Sequence, residues 1–260
     1  MPTEVTVDKP LDATAELAMK FGRLSMEVGA SAHYVEEIVG HVAFGLGADR
    51  MDLRVGYTSL IMTLGKGEEE VTRVVRVGPL GVNQRFRREL GVLAVRIRRG
   101  EFSIIESRQN LQDLLEASVR YPDWFVAISV GIACAAFGRL LDVDSKAVGP
   151  IFFSAAFAHM VRRQLALRNI NLFISSILVG FCGSVLSGLG AQWVQSQTVA
   201  RDMVATVLLL VPGVPAFNAE LDILDGRPTL GSARTIYVFV TVLAMAIAVW
   251  LALGVLREGR

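Results

Sequence analysis

The chain has 260 residues, 52% of them hydrophobic and 20% charged, with 26 Lys and Arg against 25 Asp and Glu, and a mean hydropathy of +0.47. A net charge of +1 lacks the strong positive excess of a nucleic-acid binder, so nucleic acid is excluded as an expected partner. The average hides two unlike halves: residues 1–120 hold 16 Lys and Arg and 17 Asp and Glu, leaving 10 and 8 for residues 121–260. Water suits the first half and lipid the second.

The opening residues, MPTEVTVDKPLDATAEL, lack a basic n-region followed by an apolar core, so no cleaved signal peptide is expected. Leu17, Phe21, Leu24 and Val28 recur at helical spacing over Ala13 to Val28, and Gly29 is placed to end that helix. Ser31 is a natural N-cap for a second helix, buried through Val35, Ile38, Val39 and Val42 and stopped by Gly45 and Gly47. Three strands are expected at Met51 to Tyr57, Ser59 to Leu64 and Val71 to Val77, with a turn at Gly65-Lys66-Gly67-Glu68 before the third. After Gly78-Pro79, Val82, Phe86, Leu90, Leu93 and Ile97 form one apolar stripe of a helix otherwise rich in arginine from Arg85 to Arg99. Those arginines suit either an anionic lipid surface or a solvated face paired with Glu89. A further helix over Ser103 to Ser118 completes a small α+β domain, residues 1–120, expected in the cytoplasm.

The second half reads as a membrane α-helical bundle of about five transmembrane helices. Spans are expected near 124–141, 148–161, 170–193, 203–219 and 236–256. Arg96, Arg98, Arg99, Arg108 and Arg120 precede the first, and Arg162, Arg163 and Arg168 lie between the second and third. Lys146 and Arg201 fall in the opposite loops and Arg139 at a span end; Arg257 and Arg260 follow the last span. This distribution places the N-terminus inside and the C-terminus outside. Ser176, Gly180, Ser184 and Gly188 recur every fourth residue, as do Ala244, Ala248 and Ala252. Small residues at that interval let helix backbones approach, so both stripes are packing surfaces. Cys134 and Cys182 lie in apolar stretches and read as packing residues, with neither a disulfide nor a metal site expected.

Pro212, Gly213, Val214 and Pro215 interrupt the fourth span. Two prolines three apart remove two amide donors and break the helical ladder. At membrane depth such a break is tolerated only against protein or a water-filled cavity, which makes broken helices candidate substrate or ion sites. Asn218, Glu220, Asp222 and Asp225 follow. If helix resumes, Asn218 and Asp222 share a face: Asn218 is expected to bond substrate or a backbone carbonyl, and Asp222 to exchange a proton or pair with a cation. A solvated loop opposite Arg227 is the competing reading of these acids. His159 and Arg162, one turn apart, suit a proton relay and a carboxylate contact respectively, or simply mark an interfacial helix end. Neither GxxxxGK[ST] nor GxGxxG occurs, so no nucleotide cofactor and no enzymatic chemistry are expected, and transport energy would be electrochemical.

The stretch FGRLSMEVGASAHYVEEIVGHVAFGLG resembles the N-terminal signature of the threonine/serine exporter family, and LVPGVPAFNAELDILDG resembles that family's Pro-Gly-Val-Pro segment. The resemblance covers about residues 15–256. It implies a soluble domain followed by five spans in the inner membrane, working as the larger subunit of a split system with a small membrane subunit of about five spans, in a hetero- or homo-oligomer. It also implies export of threonine and serine or of succinate-like dicarboxylates. A different class of reading makes the chain a membrane-anchored regulatory or scaffold subunit whose soluble domain senses a ligand.

Overall fold

In a computed structural model, residues 10–117 and 121–258 are described. The expected end of one helix at Ser118, and the charges of Arg120 and Arg260, lie outside these residues. The described chain forms two compact units: one of residues 10–117 with 214–235, the other of 121–213 with 236–258.

In the first unit, helices α1 (Pro10–Glu27) and α2 (Ala32–Gly45) form the expected hairpin. Leu17, Phe21 and Leu24 of α1, and Val35, Ile38, Val39 and Val42 of α2, are buried in one core. The turn between them closes because Gly29 takes φ +89°, its N–H reaching Met26 O at 3.0 Å while Ala30 N–H reaches Ser25 O at 3.0 Å. Glycine reaches that conformation at little cost. Ser31 caps α2 by accepting from Tyr34 N–H.

Strands β1 (Arg50–Val55), β2 (Ser59–Lys66) and β3 (Glu69–Arg76) form an antiparallel meander in the order β1-β2-β3. Leu53 faces Met62 and Leu64 faces Val71 across it. Leu60, Met62 and Leu64, two apart and therefore on one face, are fully buried.

Helix α3 (Gln84–Arg98) buries Phe86, Leu90, Leu93 and Ile97 as the sequence predicts. Val82, read as part of the same stripe, precedes the helix and is exposed, because Asn83 caps α3 by accepting from Phe86 N–H. Helix α4 (Ile104–Glu116) opens on a capping box, Ser103 with Glu106.

The second unit contains α5 (Asp123–Leu140), α6 (Val148–Leu167), α7 (Leu172–Trp193), α8 (Val199–Val207) and most of α10 (Pro228–Glu258). Among the described residues, three helices are long and apolar enough to cross a membrane: Asp123–Leu140, Leu172–Trp193 and Pro228–Arg257. The segment 148–161 is helical but continues into a polar end carrying Arg162, Arg163 and Gln164. The segment 203–219 is not one helix. Helix α8 ends at Val207, a 3₁₀ turn covers Leu208–Leu210, and α9 (Gly213–Leu224) starts after Pro212.

The two small-residue stripes meet. Ser176, Gly180, Ser184 and Gly188 are buried along α7, and a Cβ added at Gly180 would lie 2.9 Å from Ala248 Cβ of α10. One added at Gly183 would lie 3.1 Å from Ala158 Cβ of α6. Backbone proximity of this kind supplies dispersion contacts that lipid cannot outcompete.

Candidate functional site

The residues that follow the proline break gather around the α1–α2 turn within the first unit. Pro215 falls in the first turn of α9, where a missing N–H costs nothing. Helix α9 then carries Asn218 and Asp222 on one face, as their spacing predicts, and both are buried. Asn218 Nδ2 donates to Gly29 O at 2.9 Å, the backbone-carbonyl partner that the sequence allows for it. Asp222 Oδ1 accepts from Ala32 N–H at 3.1 Å, and Asp222 Oδ2 pairs with Arg234 Nη1.

Arg234, in the second turn of α10, is the residue that sequence reasoning missed. It is 3% exposed and its partner Asp222 0%. Its Nη2 donates to Ala30 O at 3.2 Å and lies 3.7 Å from Met26 Sδ. Arg227, in the α9–α10 turn, pairs with Glu36 of α2 and lies 3.6 Å from Asp225. The three acids therefore differ. Asp222 is enclosed, Asp225 is exposed beside Arg227, and Glu220 is exposed.

Arg234 was legible only as the first charge before an apolar run. Its place two helical turns beyond the Asp-x-x-Asp-Gly-Arg segment was the available signal, but its burial depends on a turn some 200 residues earlier, 204 positions to Ala30. Charges so enclosed need partners for every donor, and here Asp222, Ala30 O and Met26 supply them.

In the second unit, His159 and Arg162 lie half-buried on α6. Beside them Arg163 pairs with Asp123 of α5 at 3.1 Å. Tyr237 of α10 stacks obliquely on Phe173 of α7 with ring centroids 6.2 Å apart and lies within electrostatic reach of Arg162. The α6 cations, an imidazole and a phenol thus share one end of that unit.

The arginines of α3 are mostly engaged. Arg85 pairs with Glu89 at 3.0 Å and Arg96 with Glu101 at 2.7 Å. Arg87, Arg96 and Arg98 stand over the rings of Tyr34, Phe102 and Phe44. An open groove of about 910 Å³ between α3 and α4 is lined by Arg85, Arg88, Arg96, Asn110 and Asp113 among others.

A family model described as "Putative threonine/serine exporter" matches residues 16–256. The chain belongs to the threonine/serine exporter family. This is a family of membrane transporters, not of enzymes. The chain is similar to the "Probable succinate transporter subunit YjjP" of Escherichia coli (strain K12), 28% identical over 247 residues covering 94% of each chain. It is 26% identical to the protein of the same name from Klebsiella aerogenes, over 93% of each chain. An uncharacterized protein of Haemophilus influenzae is 18% identical over 82% of each chain. No solved structure matches. Membership covers both units of the exporter-family chain, including the proline break and the Asp222–Arg234 pair.

Proposed function

We propose that the chain is the larger subunit of a split secondary exporter that moves small polar metabolites, threonine and serine or succinate-like dicarboxylates, out of the cytoplasm. The observation that carries this reading is the correspondence along 94% of both chains with a protein named as a succinate transporter subunit. A relative named as a subunit supports a partner for this chain too, and a small membrane protein of about five spans fits the split form. The chain sits in the inner membrane with its N-terminus in the cytoplasm, and the Lys and Arg distribution supports that orientation.

In this reading the five-span count holds, α6 and the α8 region crossing in company with their neighbours rather than as isolated apolar rods. The cations at the end of α6 take the substrate carboxylate: Arg162 offers a planar fork of donors, and His159 a proton or a hydrogen bond beside it. Pro212 and Pro215 bring no amide N–H and, with Gly213 between them, break the helix between α8 and α9; that break serves the path. Asn218 and Asp222 act by holding the α9–α10 hairpin on the α1–α2 turn, since their polar atoms are already engaged there. That engagement is also what favours the second reading, a regulatory subunit whose soluble domain acts through the hairpin.

The test is efflux from cells loaded with threonine, serine or succinate, expressing this chain, a small partner subunit, or both. The exporter reading expects efflux only with both, reduced at least tenfold by Arg162→Gln, about 1.4 kcal/mol of transition-state stabilisation. The regulatory reading expects partner-dependent efflux that survives Arg162→Gln and responds to changes in the α1–α2 turn.

A further inference from the structure

A second enclosed carboxylate lies in the other unit. Asp202, in the first turn of α8, is 0% exposed, and among the described residues no cationic side chain stands within ion-pair distance of it. Its carboxylate is met by two hydroxyls: Ser196 Oγ donates to Oδ2 at 2.7 Å, and Thr198 Oγ1 donates to Oδ1 at 2.8 Å. Those hydroxyls are themselves 3.2 Å apart. Around them, Ser196 Oγ accepts from Thr198 N–H at 3.1 Å and Thr198 Oγ1 from Asp144 N–H at 2.9 Å. Ser187 of α7 and Thr206 of α8 donate their hydroxyls to the main-chain carbonyl of Asp202, each at 3.1 Å. Asp202 lies outside the three helices long enough to cross a membrane.

An ionised carboxylate buried without a cation is costly, and a hydroxyl, which both donates and accepts, serves either protonation state by rotating. With Asp202 ionised, both hydroxyls donate to it. With a proton on Oδ2, that proton goes to Ser196 Oγ, the Ser196 hydroxyl turns to Thr198 Oγ1, and the Thr198 hydroxyl still donates to Oδ1. The three groups close a ring in which one proton is gained and no donor is left idle. An arginine or lysine at either position would hold the carboxylate permanently ionised.

The surrounding charges are fixed and turned elsewhere. Arg201 of α8 donates to Asp142 O at 3.3 Å, and Arg139 of α5 donates to Val143 O. Asp144 accepts from Lys146 N–H and Gln197 N–H; the first of these bonds chiefly holds its carboxyl below the usual range. The first three turns of α6 and all of α7 carry no acidic or basic side chain, and at this end of α10 stands Arg257.

We propose that Asp202, with Ser196 and Thr198, is a proton-binding site that couples transport to the proton gradient. The coupling rests on the exporter reading above, and the loop that holds it lies on the side opposite the arginines of α6. Protons arriving from outside load the ring once the substrate has left, the protonated carrier returns, and each proton is released to the cytoplasm.

Two measurements decide it. Infrared difference spectra of the purified full chain, recorded between pH 8 and pH 4, should show a protonated-carboxyl band that Asp202→Asn removes. Ser196→Ala should move the band's midpoint upward by about one pH unit, a tenfold rise in proton affinity. An unchanged band in Asp202→Asn overturns the site. In vesicles bearing the chain and its partner, Asp202→Asn should lose gradient-driven accumulation of threonine, serine or succinate while keeping downhill exchange. Full gradient-driven transport in that variant overturns the coupling. Absence of any transport by the unsubstituted pair sinks the exporter reading instead, and the infrared result still decides whether Asp202 binds the proton.

Discussion

Asp222 and Arg234 form the most enclosed ion pair described in the chain, with side chains 0% and 4% exposed. Breaking such a pair strands a charge, so Asp222→Ala should destabilise the full chain by about 3–5 kcal/mol, read as a fall in its thermal unfolding midpoint in detergent. Replacing both members with leucine leaves no stranded charge and only Ala32 N–H and Ala30 O without partners, and should cost less than the single change. A double variant as unstable as Asp222→Ala would show that the backbone contacts, not the charge balance, hold the hairpin. Glu106 makes a smaller, pH-dependent contribution. The backbone N–H and hydroxyl of Ser103 hold its carboxyl below the usual range. Its stabilisation is therefore present above the ordinary carboxylate range and lost as pH falls through the depressed folded value. Wild type and Glu106→Gln should differ in unfolding midpoint at neutral pH and converge in acid. At this scale the sequence was informative about identity and poor about company: Asp222 stood out as an acid after a break, but its partner Ala32 N–H is 190 positions away, and nothing local announces such a bond.

Helices α1, α2, α3 and α4 were legible to within a few residues, because each has a periodic apolar face and a glycine, serine or asparagine at an end. The strands were legible for a related reason, the turn glycines and alternating burial of β2. Helix α9 was legible as a resumption after proline but not as part of the first unit, since its short apolar run looks the same whether lipid or protein covers it. The small residues of α7 lie buried along one side of that helix. Gly180→Leu should therefore drive a side chain into Ala248, where even a Cβ has only 2.9 Å, and cost about 1–3 kcal/mol. Gly149→Leu, where an added Cβ meets nothing within 4 Å, is the control. Gly29→Ala tests the turn: φ +89° and a Cβ 2.9 Å from Gly81 O should loosen the α1–α2 hairpin by about 1–2 kcal/mol, read as faster amide exchange at Ala30 and Ala32.

For the whole molecule, an α+β unit and a helical unit lie within one exporter-family chain. The chain crosses between them more than once, since residues 214–235 return to the first unit before α10 re-enters the second. The exporter account is tested most directly with purified chain and small partner subunit in sealed vesicles, following labelled threonine, serine and succinate under an imposed pH gradient. The account predicts uphill movement of at least one of them, requiring both proteins and collapsing when the gradient is dissipated. Uphill movement by the small subunit alone would contradict it and leave this chain a regulator.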